Sequence, residues 1–180
     1  NEDYIINHSV ENNSTYLNNA DGTLTTNLLG SYSSTIRSGP VGTGTVLNEF
    51  TSEYSYDKAG RITHIYYKQN DNNRDLKYYY EYDVAGQLVK EADFIKMTYT
   101  EYTYNNFGNV TEKKIYSGAN CFKYENNTIV VTADEPSKTV KFTYEENYGD
   151  VLTGYKVNGS ETKYTTPDLY GNPGRYHRID

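Results

Sequence analysis

The sequence predicts an all-β fold, an antiparallel meander of roughly twelve to fourteen strands laid down as consecutive hairpins. Three observations predict it. Pairs of aromatic residues two apart, each followed by an acidic or amide residue and then a glycine, recur every 20 to 26 residues. Apolar and polar residues alternate between these turns. No segment carries the 3.6-residue periodicity of an amphipathic helix.

The repeat is clearest in four segments. They are Tyr54-Ser-Tyr56-Asp57-Lys-Ala-Gly60-Arg61-Ile62, Tyr80-Glu-Tyr82-Asp83-Val-Ala-Gly86-Gln87-Leu88, Tyr102-Thr-Tyr104-Asn105-Asn-Phe-Gly108-Asn109-Val110, and Phe142-Thr-Tyr144-Glu145-Glu-Asn-Tyr-Gly149-Asp150-Val151. A weaker copy, Phe122-Lys-Tyr124-Glu125, has no glycine, and a further step of 20 lands on Tyr164. Tyr16 with Asp21-Gly22 reads as a distorted early copy. Aromatic residues two apart share one face of a strand. An Asp or Asn after the second aromatic folds its side chain onto turn backbone, which assigns Asp57, Asp83 and Asn105 to turns. Glycine three residues later supplies the positive φ that closes a type I turn with a bulge, so Gly60, Gly86, Gly108 and Gly149 are the expected turn glycines. An apolar residue two past the glycine restarts the returning strand.

Alternation agrees. Leu76, Tyr78, Tyr80 and Tyr82 are expected on a drier face, with Lys77, Tyr79 and Glu81 on a wetter one. Val140, Phe142 and Tyr144 alternate in the same way, as do Val151, Thr153, Tyr155 and Val157. The prolines (Pro40, Pro136, Pro167, Pro173) fall between strand candidates. So many strands in one meander are expected to curl into a trough, an open barrel or a spiral shell. The whole chain, 1–180, reads as a single domain. Residues 1–50 form an irregular N-terminal cap region, 51–165 the hairpin repeats, and 166–180 a turn-rich closing segment.

Composition explains why tyrosine dominates. Leu, Ile, Val and Phe make up 34 of the 180 residues, a share at which disorder is the default expectation. The 22 tyrosines reverse it, because each ring buries apolar area while its hydroxyl stays near water. Thin layers suit such a residue; a thick core would strand hydroxyls without partners. The net charge of −7 and the absence of a basic stretch argue against nucleic acid and against an anionic membrane surface. The single cysteine, Cys121, precludes an internal disulfide and reads as a small buried residue. No apolar run is long enough to span a membrane as a helix. Six Asn-x-Ser/Thr triplets begin at Asn7, Asn12, Asn13, Asn109, Asn126 and Asn158, as expected by chance in so asparagine-rich a chain.

Nothing supports a reaction. His8, His64 and His177 are far apart in sequence and in no metal-binding spacing, and His64 reads as a cross-strand or surface residue. No nucleophile elbow, phosphate loop or zinc-protease signature occurs. Asp71-Asn-Asn-Arg-Asp75 offers oxygen ligands but no tight-turn glycine, and reads as an ordinary hairpin loop. No metal or cofactor is expected. The candidate ligand surface is a stripe of Tyr54, Tyr56, Tyr78, Tyr80, Tyr82, Tyr102 and Tyr104 stacked across strands. Two readings stand open: this ladder is the core of a thin sheet, or it is a platform for sugar rings or lipid chains.

Tyr-Ser-Tyr-Asp-Lys-Ala-Gly-Arg-Ile-Thr at 54–63 and Tyr-Glu-Tyr-Asp-Val-Ala-Gly-Gln-Leu-Val at 80–89 resemble the tyrosine-aspartate, or RHS, repeat of bacterial surface proteins, polymorphic toxins and teneurins. The resemblance covers roughly residues 50–155. It implies a β-sheet that spirals into a shell enclosing a cargo or displaying binding surfaces. In size the chain is more similar to small secreted lipoproteins of gut Bacteroidetes. These share Tyr-x-Tyr-Asp-x-x-Gly-Arg hairpins in an open, porin-like sheet and a segment like Leu28 to Tyr32. That similarity implies export, with anchoring to the outer membrane by a lipidated cysteine upstream of Asn1. Together these readings lead to the expectation of a non-catalytic, extracytoplasmic or cell-surface binding protein. Its expected partners are carbohydrate, lipid or another surface protein, with a lipid carrier and a structural spacer as alternatives.

Overall fold

A computed structural model of the chain describes residues 8–18, 25–39, 43–70, 73–145, 151–164 and 176–178. They hold fourteen β-strands and no helix. All strand pairing is antiparallel. The chain divides into two compact units, Asn1–Tyr79 and Tyr80–Asp180.

The first unit is a meander in sequence order. It comprises β1 (His8–Asn18), β2 (Thr25–Ser38), β3 (Thr45–Tyr56), β4 (Ile62–Gln69) and the start of β5 (Asp75–Tyr82). The region expected to be an irregular cap holds two of the longest strands, 11 and 14 residues. Their pairing with each other shifts register beside Tyr16, and β2 shifts against β3 between Ile36 and Arg37. The alternation expected along β5 also fails at one point. Ile65 stands opposite Tyr78, but Tyr66 stands opposite Leu76, so Lys77 is an extra residue in a bulge. Leu76 and Tyr78 therefore belong to different rows. Tyr79, assigned to the wetter face, is the buried aromatic of this strand at 5% exposure.

The second unit begins with β6 (Leu88–Asp93), β7 (Thr98–Tyr104) and β8 (Val110–Ser117). The chain then leaves the sheet. β9 (Phe122–Glu125) and β10 (Thr128–Val131) pair only with each other, and β11 (Lys138–Tyr144) returns to pair with β8. β12 (Leu152–Val157), β13 (Ser160–Tyr164) and β14 (Tyr176–Arg178) continue the meander. The weak fifth copy of the repeat is thus no rung of the meander. Its missing glycine is replaced by Asn126 and Asn127, both at positive φ (53° and 61°), which closes a two-residue hairpin. Asn158-Gly159 closes the β12–β13 hairpin in the same way.

This displaced hairpin makes the core. Phe122 meets Phe94 at 5.1 Å and Tyr99 at 5.9 Å between ring centroids, and Tyr99 meets Tyr116 at 5.8 Å. Tyr99 is 1% exposed; Ala92, Cys121, Phe122 and Ile129 are also buried. Backbone bonds from Thr132 and Ala133 to the Cys121 carbonyl close the base of the hairpin, and the Gly118 amide before it donates to the Met97 carbonyl. Burying each large ring contributes about 1.5–3 kcal/mol. The tyrosine ladder, left open between core and platform, lies outside this cluster. All seven of its rings are half-buried, and the buried rings lie elsewhere.

The hairpins are locked by tyrosine hydroxyls. Tyr104 donates to the Leu88 carbonyl (2.5 Å), Tyr144 to the Val110 carbonyl (2.8 Å) and Tyr56 to the Leu29 carbonyl (2.7 Å). Leu88 and Val110 each lie two residues past a turn glycine. In the second unit, then, the second tyrosine of one repeat holds the returning strand of the repeat before it. Burial raises the pKa of all three hydroxyls, so each stays a protonated donor. The lock gives the second aromatic of these three copies a reason to be Tyr, whereas the first tolerates Phe at 122 and 142. Tyr104→Phe and Tyr144→Phe should each lower unfolding free energy by about 1 kcal/mol in urea titrations. Tyr16→Phe, at a 55% exposed ring, should stay within about 0.5 kcal/mol of wild type.

Candidate functional site

The three complete turns share one geometry. The backbone amide of Asp57, Asp83 or Asn105 donates to the carbonyl four residues on, and the glycine amide donates back at 3.1 Å. Side-chain Oδ1 of each accepts a further amide: Asp57 from Ala59 and Arg61, Asp83 from Gln87, Asn105 from Phe107 and Asn109, at 2.9 to 3.0 Å. Asp57 also pairs with the Arg61 guanidinium at 2.7 Å, and the Arg61 hydrogen bonds hold its carboxyl below the usual range. Gly60, Gly86 and Gly108 sit at φ of 80°, 88° and 87°. Gly149 lies outside the described residues, although Glu145 still donates to the Val151 carbonyl beyond it. Gly86→Ala, which forces a Cβ into the left-handed region, should cost about 1–2 kcal/mol in a denaturation experiment, and Gly86→Asn less.

The seven ladder tyrosines do not make one surface in either unit. In the first, Tyr54 and Tyr78 occupy the same row but are separated by Ile65 on β4. Tyr56 is committed to Leu29. In the second, Tyr80 and Tyr82 are half-buried on β5. Tyr102 stands opposite Lys113, whose ammonium lies 5.1 Å from the ring centroid, and donates its hydroxyl to Glu91 at 2.7 Å. Burial, then the Glu91 hydrogen bond, raises its pKa. Tyr104 is committed to Leu88.

The opposite face of β7 is ionic beyond the core. Lys90 meets Glu81 at 3.0 Å and stands opposite Glu101, which stands opposite Lys114. Glu112 bridges Lys114 (3.7 Å) and Lys141 (3.2 Å). Alternating signs across neighbouring strands fix register at a modest gain per pair.

Two clusters in the first unit were not singled out in the sequence. On one face, His64 lies between Tyr66 (5.9 Å, stacked) and Tyr79 (5.2 Å, edge-on), with its Nδ1 3.0 Å from the Thr63 hydroxyl. The Arg74 guanidinium lies 4.3 Å over the Tyr66 ring and bonds Glu53 at 2.9 Å. Burial, then the Arg74 charge, lowers the His64 pKa. The other face has a shallow cavity of about 210 Å³ lined by Phe50, Tyr67, Gln69, Asn73, Asp75 and Lys77 among others. Phe50 stands edge-on to Tyr67 at 5.0 Å and is 36% exposed. Asp75 pairs with Lys77 at 3.5 Å, and Gln69 donates to Asn48 at 3.3 Å. The signal available was Tyr66-Tyr67: neighbouring residues on a strand point to opposite faces, so one ring serves each cluster.

Asp71 and Asn72, of the loop that offers oxygen ligands, lie outside the described residues, among which no group of three His, Cys, Asp or Glu is placed to hold a metal. His8 and His177 lie on β1 and β14.

The lowered pKa gives His64 a definite sign. Its neutral form is favoured in the folded chain, so its contribution to stability is full above about pH 6.5 and is lost as pH falls toward the folded value. The urea midpoint of the wild type should therefore drop between about pH 7.5 and 5, and His64→Gln should drop less.

No protein-family model matches the chain, and no curated protein matches it. Among solved structures it is similar to the crystal structure of TcdB2-TccC3-Cdc42, at 15% sequence identity and a TM-score of 0.48 over 89% of this chain. The chain spans 8% of the length of that one.

Proposed function

We propose that this chain is a non-catalytic, extracytoplasmic binding module on a scaffold of YD-type hairpins, and that its ligands are carbohydrates. The carrying observation is that aromatic rings and polar side chains share one shallow cavity in the first unit, beside an exposed Phe50. Sugars present apolar C–H faces and hydroxyl edges together, and sites for them need both kinds of group within one ring's width. The tyrosine ladder is a poorer platform, since Tyr56 and Tyr104 donate their hydroxyls to backbone carbonyls and Tyr102 donates to Glu91.

The same locked hydroxyls favour a second reading, a structural spacer whose tyrosines serve only the scaffold. A lipid carrier is less favoured, because Gln69, Asn73, Asp75 and Lys77 place amides and charges in the cavity wall. Screening the purified chain on an oligosaccharide array and against fluorescent fatty acids separates the three. Carbohydrate binding without fatty-acid uptake is expected. Fatty-acid uptake alone would establish the carrier, and two negatives would leave the spacer.

A further inference from the structure

We infer that the cavity between β3, β4 and the start of β5 binds a single saccharide unit, packed against Phe50 and Tyr67 and hydrogen-bonded by Asn73, Asp75 and Lys77. This rests on the carbohydrate reading and specifies its site and the size of its ligand. The volume of about 210 Å³ lies below the roughly 300–1,000 Å³ of sites that enclose drug-sized ligands. It suits one ring or a chain end, not a long glycan or an acyl chain.

The floor is aromatic by construction. Phe50 and Tyr67 come from adjacent antiparallel strands and sit diagonally, because Phe50 stands opposite Gln69 and Ser52 opposite Tyr67. Their rings meet at 70°, so a ligand on this floor meets one ring face and one ring edge. The polar rim comes from the chain re-entering the sheet. The bulge at Lys77 brings its ammonium to 3.5 Å from Asp75, whose side chain is 69% exposed. A carboxylate and an ammonium side by side offer an acceptor and a donor, the pairing that vicinal hydroxyls satisfy. Their mutual neutralisation favours a neutral sugar over an anionic one. Affinity for one unit should be weak, on the order of millimolar.

The test is saturation-transfer NMR on the whole chain with the methyl glycosides of glucose, galactose, mannose and N-acetylglucosamine. Phe50→Ala and Asp75→Ala remove exposed side chains from the cavity, and Phe107→Ala removes a 67% exposed ring in the second unit. Circular dichroism verifies that each variant folds. At least one glycoside should bind wild type and Phe107→Ala alike and bind both cavity variants about tenfold more weakly. Unchanged binding in both cavity variants would overturn the assignment of the site and leave the carbohydrate reading standing. Binding of array oligosaccharides but of none of the four glycosides would overturn the single-unit inference alone. No binding to either would remove both.

Discussion

A tyrosine hydroxyl on a neighbouring hairpin's carbonyl is the contact on which this structure depends. The chain turns at Gly86 and returns as β6, which carries the Leu88 carbonyl two residues past the glycine. Tyr104, one hairpin later, reaches back to it. Tyr144 does the same for Val110, although its strand arrives only after the β9–β10 excursion. Each such bond joins residues far apart in the chain, so it fixes which hairpin lies beside which. It also satisfies a backbone acceptor that would otherwise be a cost in a half-buried setting.

Given those locks, the chain manages with a very small dry core. Six hydrophobic residues are buried among those described, and five of them (Tyr99, Ala92, Cys121, Phe122 and Ile129) belong to β6, β7 and the short β9–β10 hairpin with its flank. Elsewhere the sheet is held by ladder hydrogen bonds, half-buried rings and alternating charges such as Glu81, Lys90, Glu101 and Lys114. Cross-strand pairs of this kind contribute tenths of a kcal/mol each and act together through register. A sheet stabilised this way can leave faces of mixed character open to solvent, which a binding module requires and a thick core would forbid.

The tyrosines therefore divide by role. Tyr56, Tyr104 and Tyr144, at the second position of the repeat, serve the scaffold through their hydroxyls. Tyr99 and Tyr79 serve it through burial, and Tyr66 pairs with His64 and Arg74. Phe50 and Tyr67 stand apart, since they meet polar side chains across a concavity. Abundance of an aromatic residue is thus a poor guide to a ligand site, whereas its polar company is a better one.

What the sequence determined by itself was local. Asp57-x-x-Gly60, Asp83-x-x-Gly86 and Asn105-x-x-Gly108 dictate strand, turn and return, because carboxylate or amide capping and a positive φ act within five residues. All-β class, antiparallel pairing and strand number follow from that repetition. Three things depended on contacts between distant residues and were decided only by the tertiary structure. One was the face that is buried, since the bulge at Lys77 changes the rows and Tyr79 goes inward against the alternation. Another was the fate of Phe122–Val131, which reads as one more rung until β8 is seen to pair with β11. The last was the candidate site, whose rings and polar groups come from three strands. Periodicity along one strand says which residues share a side, but only pairing between strands says what they face.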